Sequence, residues 1–310
     1  MTEGPTGPRI AWRLGIVAAA GMLGVLAGPV LPVAVAPAAA QEAEAPSGPA
    51  AASPEVVAEV DALLAALRMG DTIEVLREEG IEYGRTLEAD MFPGAGGSRW
   101  DATVALIYDG ARMSEAFRTA LIGEVGGDAA VIAEIRSFFE GDLGRKVIGL
   151  EIEGRRAFLD DAVEERAKVA WEETREADAQ RADLLERFVT ENDLVESNVS
   201  GALNANLAFY RGMAESGAFG DEMTEERMLS DVWSQEPTVR QSTTEWVYSY
   251  LNLAYAPLSD AELEAYADFS ATPAGQKLNT ALFGAYAQVF TPISRALGLA
   301  VGRQMQGQDI

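Results

Sequence analysis

Leu258-Ser259-Asp260-Ala261-Glu262-Leu263, followed by Phe269 and then Thr272-Pro273-Ala274-Gly275-Gln276-Lys277-Leu278, is the stretch that decides the fold of this 310-residue chain. Ser259 and Glu262 have the spacing of a capping box: the hydroxyl can accept from the amide of Glu262, and the Glu262 carboxylate can reach back to the Ser259 amide. Leu258 and Leu263 can close a hydrophobic staple around that start. A helix begun there is short, because Thr272-Pro273 starts a second one, with Thr as N-cap and Pro273 at the first helical position, where a missing N–H costs nothing. The result is a tight helix-turn-helix corner with Phe269 in its angle and Gly275 on the approach between the helices. Thr291-Pro292 further on reads as a restart or a kink.

The same pattern occurs earlier at an offset of 131 residues. Ile132, Ile135, Phe138, Leu143, Gly144, Lys146, Val147 and Gly154 match Leu263, Tyr266, Phe269, Ala274, Gly275, Lys277, Leu278 and Ala285 in size or type. The chain has three Lys, and Lys146 and Lys277 both fall on this register. Trp100 and Trp233 stand at a similar offset, and Ile73–Met91 matches Val195–Met213 weakly. Helical periodicity does not by itself specify Phe-x5-Gly-x-Lys, so the reading is an internal duplication. Elsewhere the apolar spacing is also helical. Ser53-Pro54 opens a helix bearing Val56, Val57, Val60, Leu63, Leu64 and Leu67. Thr72 to Met91 forms another, and Trp100 to Ile122 a third, with Val104, Ile107, Tyr108, Ala111, Ala116 and Ala120 inward. No segment alternates with period two. The expectation is an all-α helical bundle or array of two similar repeats of four to five helices, at 54–182 and 183–306, with a tail at 307–310. Pro93 to Ser98 and Glu215 to Gly220 read as loops.

The second copy of the motif, over about 246–297, resembles the bacterial family catalogued as domain of unknown function 2059. Its members carry an acidic Leu-Ser/Thr-x-x-Glu-Leu start, an aromatic, and Ser/Thr-Pro-x-Gly-Gln/Lys-Lys. The first copy departs from this: Asp128-Ala129 stands for Ser-Asp and Gly141-Asp142 for Thr-Pro, while Gly144-Arg145-Lys146 remains. The resemblance implies an exported, all-helical protein and supplies no catalytic residue.

Residues 1–40 read as a secretory signal: Arg9 and Arg13, an uncharged stretch from Leu14 to Val35, and Ala38-Ala39-Ala40 before Gln41. The alternative is an uncleaved inner-membrane anchor over 14–40; Pro29, Pro32 and Pro37 argue against it, since proline in a helix interior costs about 3 kcal/mol. Cleavage would leave a flexible leader at 41–53, no stable membrane span, and a periplasmic location. It removes Arg9, Arg13 and Glu3, so the net charge passes from −25 to −26. So acidic a surface repels phosphate backbones and disfavours nucleic acid. The absence of Cys excludes disulfides and a lipoprotein anchor, and the absence of His removes the usual near-neutral base and the commonest zinc ligand.

No motif fixes a reaction, and neither a cofactor nor a metal is expected. The acidic run from Asp160 to Asp183 lacks a calcium-loop spacing and reads as a solvated helix face, with Glu164–Lys168 and Glu172–Arg175 at pairing distance. Lys146 and Lys277 lie in first helical turns, a poor place for a cation, which suggests that each amine has an acid near it. Trp233, Trp246, Tyr248, Tyr250, Tyr255, Tyr266 and Tyr286 crowd the second repeat and are expected mainly as packing. The structural motif to locate is Phe138, Gly144, Lys146, Ser259, Glu262, Phe269, Pro273, Gly275 and Lys277. The functional expectation is a non-catalytic scaffold or binding module acting on an envelope protein or apolar ligand through a groove between repeats. The alternatives are a lipid or apolar-ligand carrier, which needs a cavity between helices, and a carboxylate-only hydrolase, which needs two acids converging in a cleft.

Overall fold

The computed structural model describes residues 52–220 and 223–307, so the signal at 1–40 and nearly all of the leader at 41–53 lie outside the described residues. The fold is all-α, with no strand among the described residues. The helices are α1 Pro54–Ala66, α2 Met69–Met91, α3 Gly97–Ile107, α4 Gly110–Val125, α5 Ala129–Glu140, α6 Asp142–Ala157 and α7 Asp161–Ala177. They continue as α8 Ala179–Glu191, α9 Leu194–Glu215, α10 Glu225–Ser234, α11 Glu236–Tyr255, α12 Asp260–Ser270 and α13 Pro273–Met305.

Side-chain caps set most of these starts by accepting otherwise orphaned N–H groups. Ser53 caps α1, Asp109 α4, Asp128 α5, Asp160 α7, Asp178 α8, Thr224 α10, Ser259 α12 and Thr272 α13. Asp109 also corrects the single helix expected over Trp100 to Ile122. Its carboxylate accepts from the Arg112 amide at 2.9 Å and restarts the helix after Tyr108. The break turns the second segment, so Met113, Phe117 and Leu121 face inward, while Ala111 and Ala116 are exposed. At Pro292 the helix neither stops nor restarts: α13 runs through it to Met305. The face carrying Val289, Phe290, Ile293 and Leu297 is buried, and its packing outweighs the roughly 3 kcal/mol cost of an interior proline.

α13 is the axis of the molecule. α9 packs on it along one side and α4 along another, with α5, α3 and α12 completing its surroundings. α11 lies against α7, α9, α6 and α8. The α9–α13 crossing is close because Gly212 and Gly298 carry no side chain: a Cβ on Gly212 would overlap the Arg295 carbonyl, and one on Gly298 the Phe209 carbonyl. One continuous core runs from Val56 in α1 to Val301 in α13.

α1 and α2 meet at Arg68 with φ 50°, and α8 and α9 meet at Asp193 with φ 47°. α5 turns into the longer α6, and α12 into the longer α13. The boundary expected at 182/183 falls inside α8. Trp100 and Trp233 do not share an environment: Trp100 is fully buried and donates from Nε1 to the Gly84 carbonyl at 2.8 Å, whereas Trp233 is 63% exposed.

Candidate functional site

The two corners meet. Phe138 at the end of α5 stacks on Phe269 at the end of α12, ring centroids 3.7 Å apart and planes within 2°. The ring of Phe269, expected in the angle of its own corner, instead faces the matching ring of the other corner. Both are half-buried and cover one another, and the fully enclosed corner ring is Phe139. Gly144 and Gly275 occupy the inside of their corners. A Cβ on Gly144 would overlap the Phe138 carbonyl and lie 2.5 Å from Phe139 Cα; one on Gly275 would overlap the Phe269 carbonyl and lie 2.7 Å from Ser270 Cα. Ser259 N donates to Glu262 Oε2 at 2.8 Å, and Ser259 Oγ accepts from the Glu262 amide at 3.3 Å. Pro273 occupies the first turn of α13 behind the Thr272 cap.

Lys146 crosses from the first corner to the second, its Nζ 2.7 Å from Glu262 Oε1. That amine and the Ser259 donors hold the Glu262 carboxyl down at about 2. Lys277 is exposed, and its amine lies over the Gly126 turn that precedes α5, 3.9 Å from where a Gly126 Cβ would sit. The nine motif residues therefore build a junction between corners, and none of them lines the groove between α7, α8 and α11.

Behind the junction lies a buried polar centre. α6 turns Val147, Ile148, Glu151, Ile152 and Arg155 inward, so two charged side chains enter the core. Glu151 Oε1 accepts from Tyr255 Oη at 2.7 Å and from Tyr266 Oη at 3.0 Å, and its carbonyl accepts from Tyr250 Oη at 2.7 Å. Burial pushes the Glu151 carboxyl from 4.5 up to about 7, against the opposing pull of the two phenol donors. Burial likewise drives Tyr250, Tyr255 and Tyr266 well above the ordinary phenol range. Arg155 is matched to Glu79 of α2: Nε stands 2.8 Å from Oε1, and the Nη2–Oε2 contact at 2.9 Å is the one aligned as a hydrogen bond.

The open site is a groove of about 650 Å³ between α7, α8 and α11. Trp171 and Tyr248 stack along it at 4.8 Å with planes within 8°. Glu165, Glu172, Glu186 and Glu245 line it beside Lys168 and Arg175, with Gln241 and Thr244 as neutral polar groups. Lys168 is already claimed by Glu164 at 3.1 Å and Glu165 at 2.7 Å, and Arg175 by Glu172 at 3.4 Å. Glu164–Lys168 and Glu172–Arg175 are the two pairs read from the sequence. Glu186 enters from α8 and Glu245 from α11, the latter 4.0 Å from Lys168, and four carboxylates against two cations leave the groove a surplus of negative charge. No cluster of carboxylates suited to a metal ion exists among the described residues.

The groove joins two features that the sequence offered separately, the acidic run and one aromatic of the second half. The other second-half aromatics divide: Trp246, Tyr250, Tyr255, Tyr266 and Tyr286 are buried, and Trp233 is on the surface. Glu186, Glu245 and Trp171 were not singled out in the sequence, because nothing local marks which faces of α7, α8 and α11 converge. For Glu151 a local signal existed, since it stands with Arg155 on the apolar stripe of α6. No family model, no curated protein and no solved structure was found to match the chain.

Proposed function

We propose that this chain is a non-catalytic helical binding module of the bacterial envelope and that it holds a cationic polypeptide segment in the α7–α8–α11 groove. The observation that carries this reading is the groove itself: about 650 Å³, four glutamates against one lysine and one arginine, and a stacked Trp171–Tyr248 pair. Carboxylates at the rim attract and orient basic side chains, and the half-buried Tyr248 offers a ring face to an alkyl-ammonium or guanidinium group. The carboxylates of Glu165, Glu172, Glu186 and Glu245 along the lining favour this over an apolar-ligand carrier. A carboxylate-only hydrolase is less well supported, because the carboxyl whose proton affinity is raised into the working range, Glu151, is enclosed by tyrosines and does not line the groove.

The envelope location rests on the signal-like residues 1–40 and on the resemblance of the corner motif to domain of unknown function 2059. We also infer that α1–α6 and α8–α13 derive from one duplicated unit with α7 as the connecting helix. The matched left-handed joints and the paired corner glycines support that inference.

The test is fluorescence anisotropy of a labelled Lys/Arg-rich decapeptide titrated with the protein at low and high salt. Binding should weaken with salt and should fall at least about tenfold in a Glu172→Gln, Glu186→Gln, Glu245→Gln triple variant, the loss expected when ~1.4 kcal/mol of attraction goes. Equal binding of an acidic control peptide, or no change in the triple variant, would overturn the assignment.

A further inference from the structure

Glu151 sits where the halves meet, with α6 from the first and α11 and α12 from the second closing around one carboxylate. We propose that Glu151 is a proton-operated latch across this seam: as a neutral acid it lets α6, α11 and α12 close tightly, and as a carboxylate it weakens their closure. The inference is independent of the groove's ligand. It starts from geometry. Glu151 is 4% exposed, and its Oε1 holds two tyrosine hydroxyls drawn from different helices.

The groups facing it give the carboxylate no counter-charge. From α6, Arg155 is matched to Glu79 of α2. From α8, Arg181 donates to the Tyr255 carbonyl and pairs with Asp260 at 3.1 Å. α11 contributes Tyr250 and Tyr255, α12 Tyr266 and α13 Tyr286; the last reaches Met69 Sδ at 3.9 Å. From α5, Phe138 lies parallel to Tyr266 at 6.0 Å. An ionised Glu151 is therefore balanced by phenol O–H dipoles alone, which compensate a buried charge poorly.

The carboxyl is raised from 4.5 to about 7, so the folded state binds more protons than the unfolded state between those values. The stabilisation is complete below about pH 4.5 and is lost as pH rises toward about 7, beyond which stability is level. The chain has no His, so the usual competitor for titration in this window is missing.

The test is urea unfolding from pH 4.5 to pH 8, together with a carbon-13 titration of the Glu151 carboxyl in the intact protein. The wild type should lose roughly a hundredfold in its folding equilibrium constant across the window, while Glu151→Gln should stay flat, and the carboxyl midpoint should lie near neutrality. Parallel pH profiles for the two proteins, or a midpoint in the ordinary glutamate range, would overturn the proposal. Should Glu151→Gln not fold, Tyr255→Phe and Tyr266→Phe serve instead. Each removes a donor to the carboxylate and should move the midpoint higher; an unchanged midpoint in both sinks the latch.

Discussion

Replacing Gly275 with Ala tests the corner geometry, because the same substitution has opposite expected signs at different glycines of this fold. At Gly275 the new Cβ would overlap the Phe269 carbonyl and stand 2.7 Å from Ser270 Cα. Both are backbone atoms, so no rotamer change can relieve the contact, and α12 has to move away from α13. Overpacking of this kind costs about 1–3 kcal/mol, offset by up to about 1 kcal/mol of gained helix propensity. A net loss of roughly 1–2 kcal/mol follows, or a melting temperature lower by about 2–8 °C for a domain of this size. Gly144 meets the same pair of backbone atoms in the first corner, a carbonyl oxygen and a Cα. Gly144→Ala should therefore lose a similar amount. Gly123 in α4 has nothing within 4 Å of its would-be Cβ, so Gly123→Ala should gain up to about 1 kcal/mol. Thermal unfolding followed by circular dichroism, with urea titration alongside, measures all three. If Gly275→Ala and Gly144→Ala raise the melting temperature as Gly123→Ala does, the corners are not closed by backbone contact.

Phe138→Ala and Phe269→Ala should each cost about 2–3 kcal/mol, less than a fully buried ring. Their double-mutant cycle should show a coupling of about 1 kcal/mol from the stack, and additive losses would mean that the rings do not touch in solution. Ser259→Ala removes an N-cap and should destabilise by about 1 kcal/mol without altering peptide binding in the groove. For Glu151, the change from 4.5 to about 7 corresponds to roughly 3 kcal/mol of stability lost between acid and neutral pH. Calorimetry at pH 4.5 and pH 7.5 should therefore find the wild type more stable under acid, and the reverse order would reject the sign of the effect.

What the sequence made legible was local. Ser259 with Glu262, Thr272 with Pro273, and Ser53 with Pro54 are start signals whose partners lie within three residues, and the structure places a helix start at each. Where a partner comes from afar, the sequence was silent or misleading. The spacing from Trp100 to Ile122 hid a break, because Asp109 can sit on a solvent face of one helix as readily as it can cap the next. Trp100 and Trp233 share a register in the sequence and not an environment in the fold. Phe269 was read as lying in the angle of its own corner, since nothing in a linear pattern says that two similar corners will stack on one another.

The buried centre shows the same limit from the other side. Glu151 and Arg155 stand where α6 otherwise places Val147, Ile148 and Ile152, and a charge on an apolar stripe is itself a sign of an internal polar network. Which network it is depends on side chains far away in the chain. Glu79 lies 76 positions before Arg155, and Tyr255 lies 104 positions after Glu151. The groove is assembled in the same way: α7 supplies Trp171, α8 supplies Glu186, and α11 supplies Tyr248 and Glu245. α11 supplies side chains directly to both features. It presents Tyr248 to the groove and Tyr250 and Tyr255 to Glu151, so a shift of α11 on ionisation of Glu151 would move one wall of the groove. A cationic ligand that binds one arrangement of α11 better than the other would then shift the Glu151 titration as well, because coupling between two sites is reciprocal.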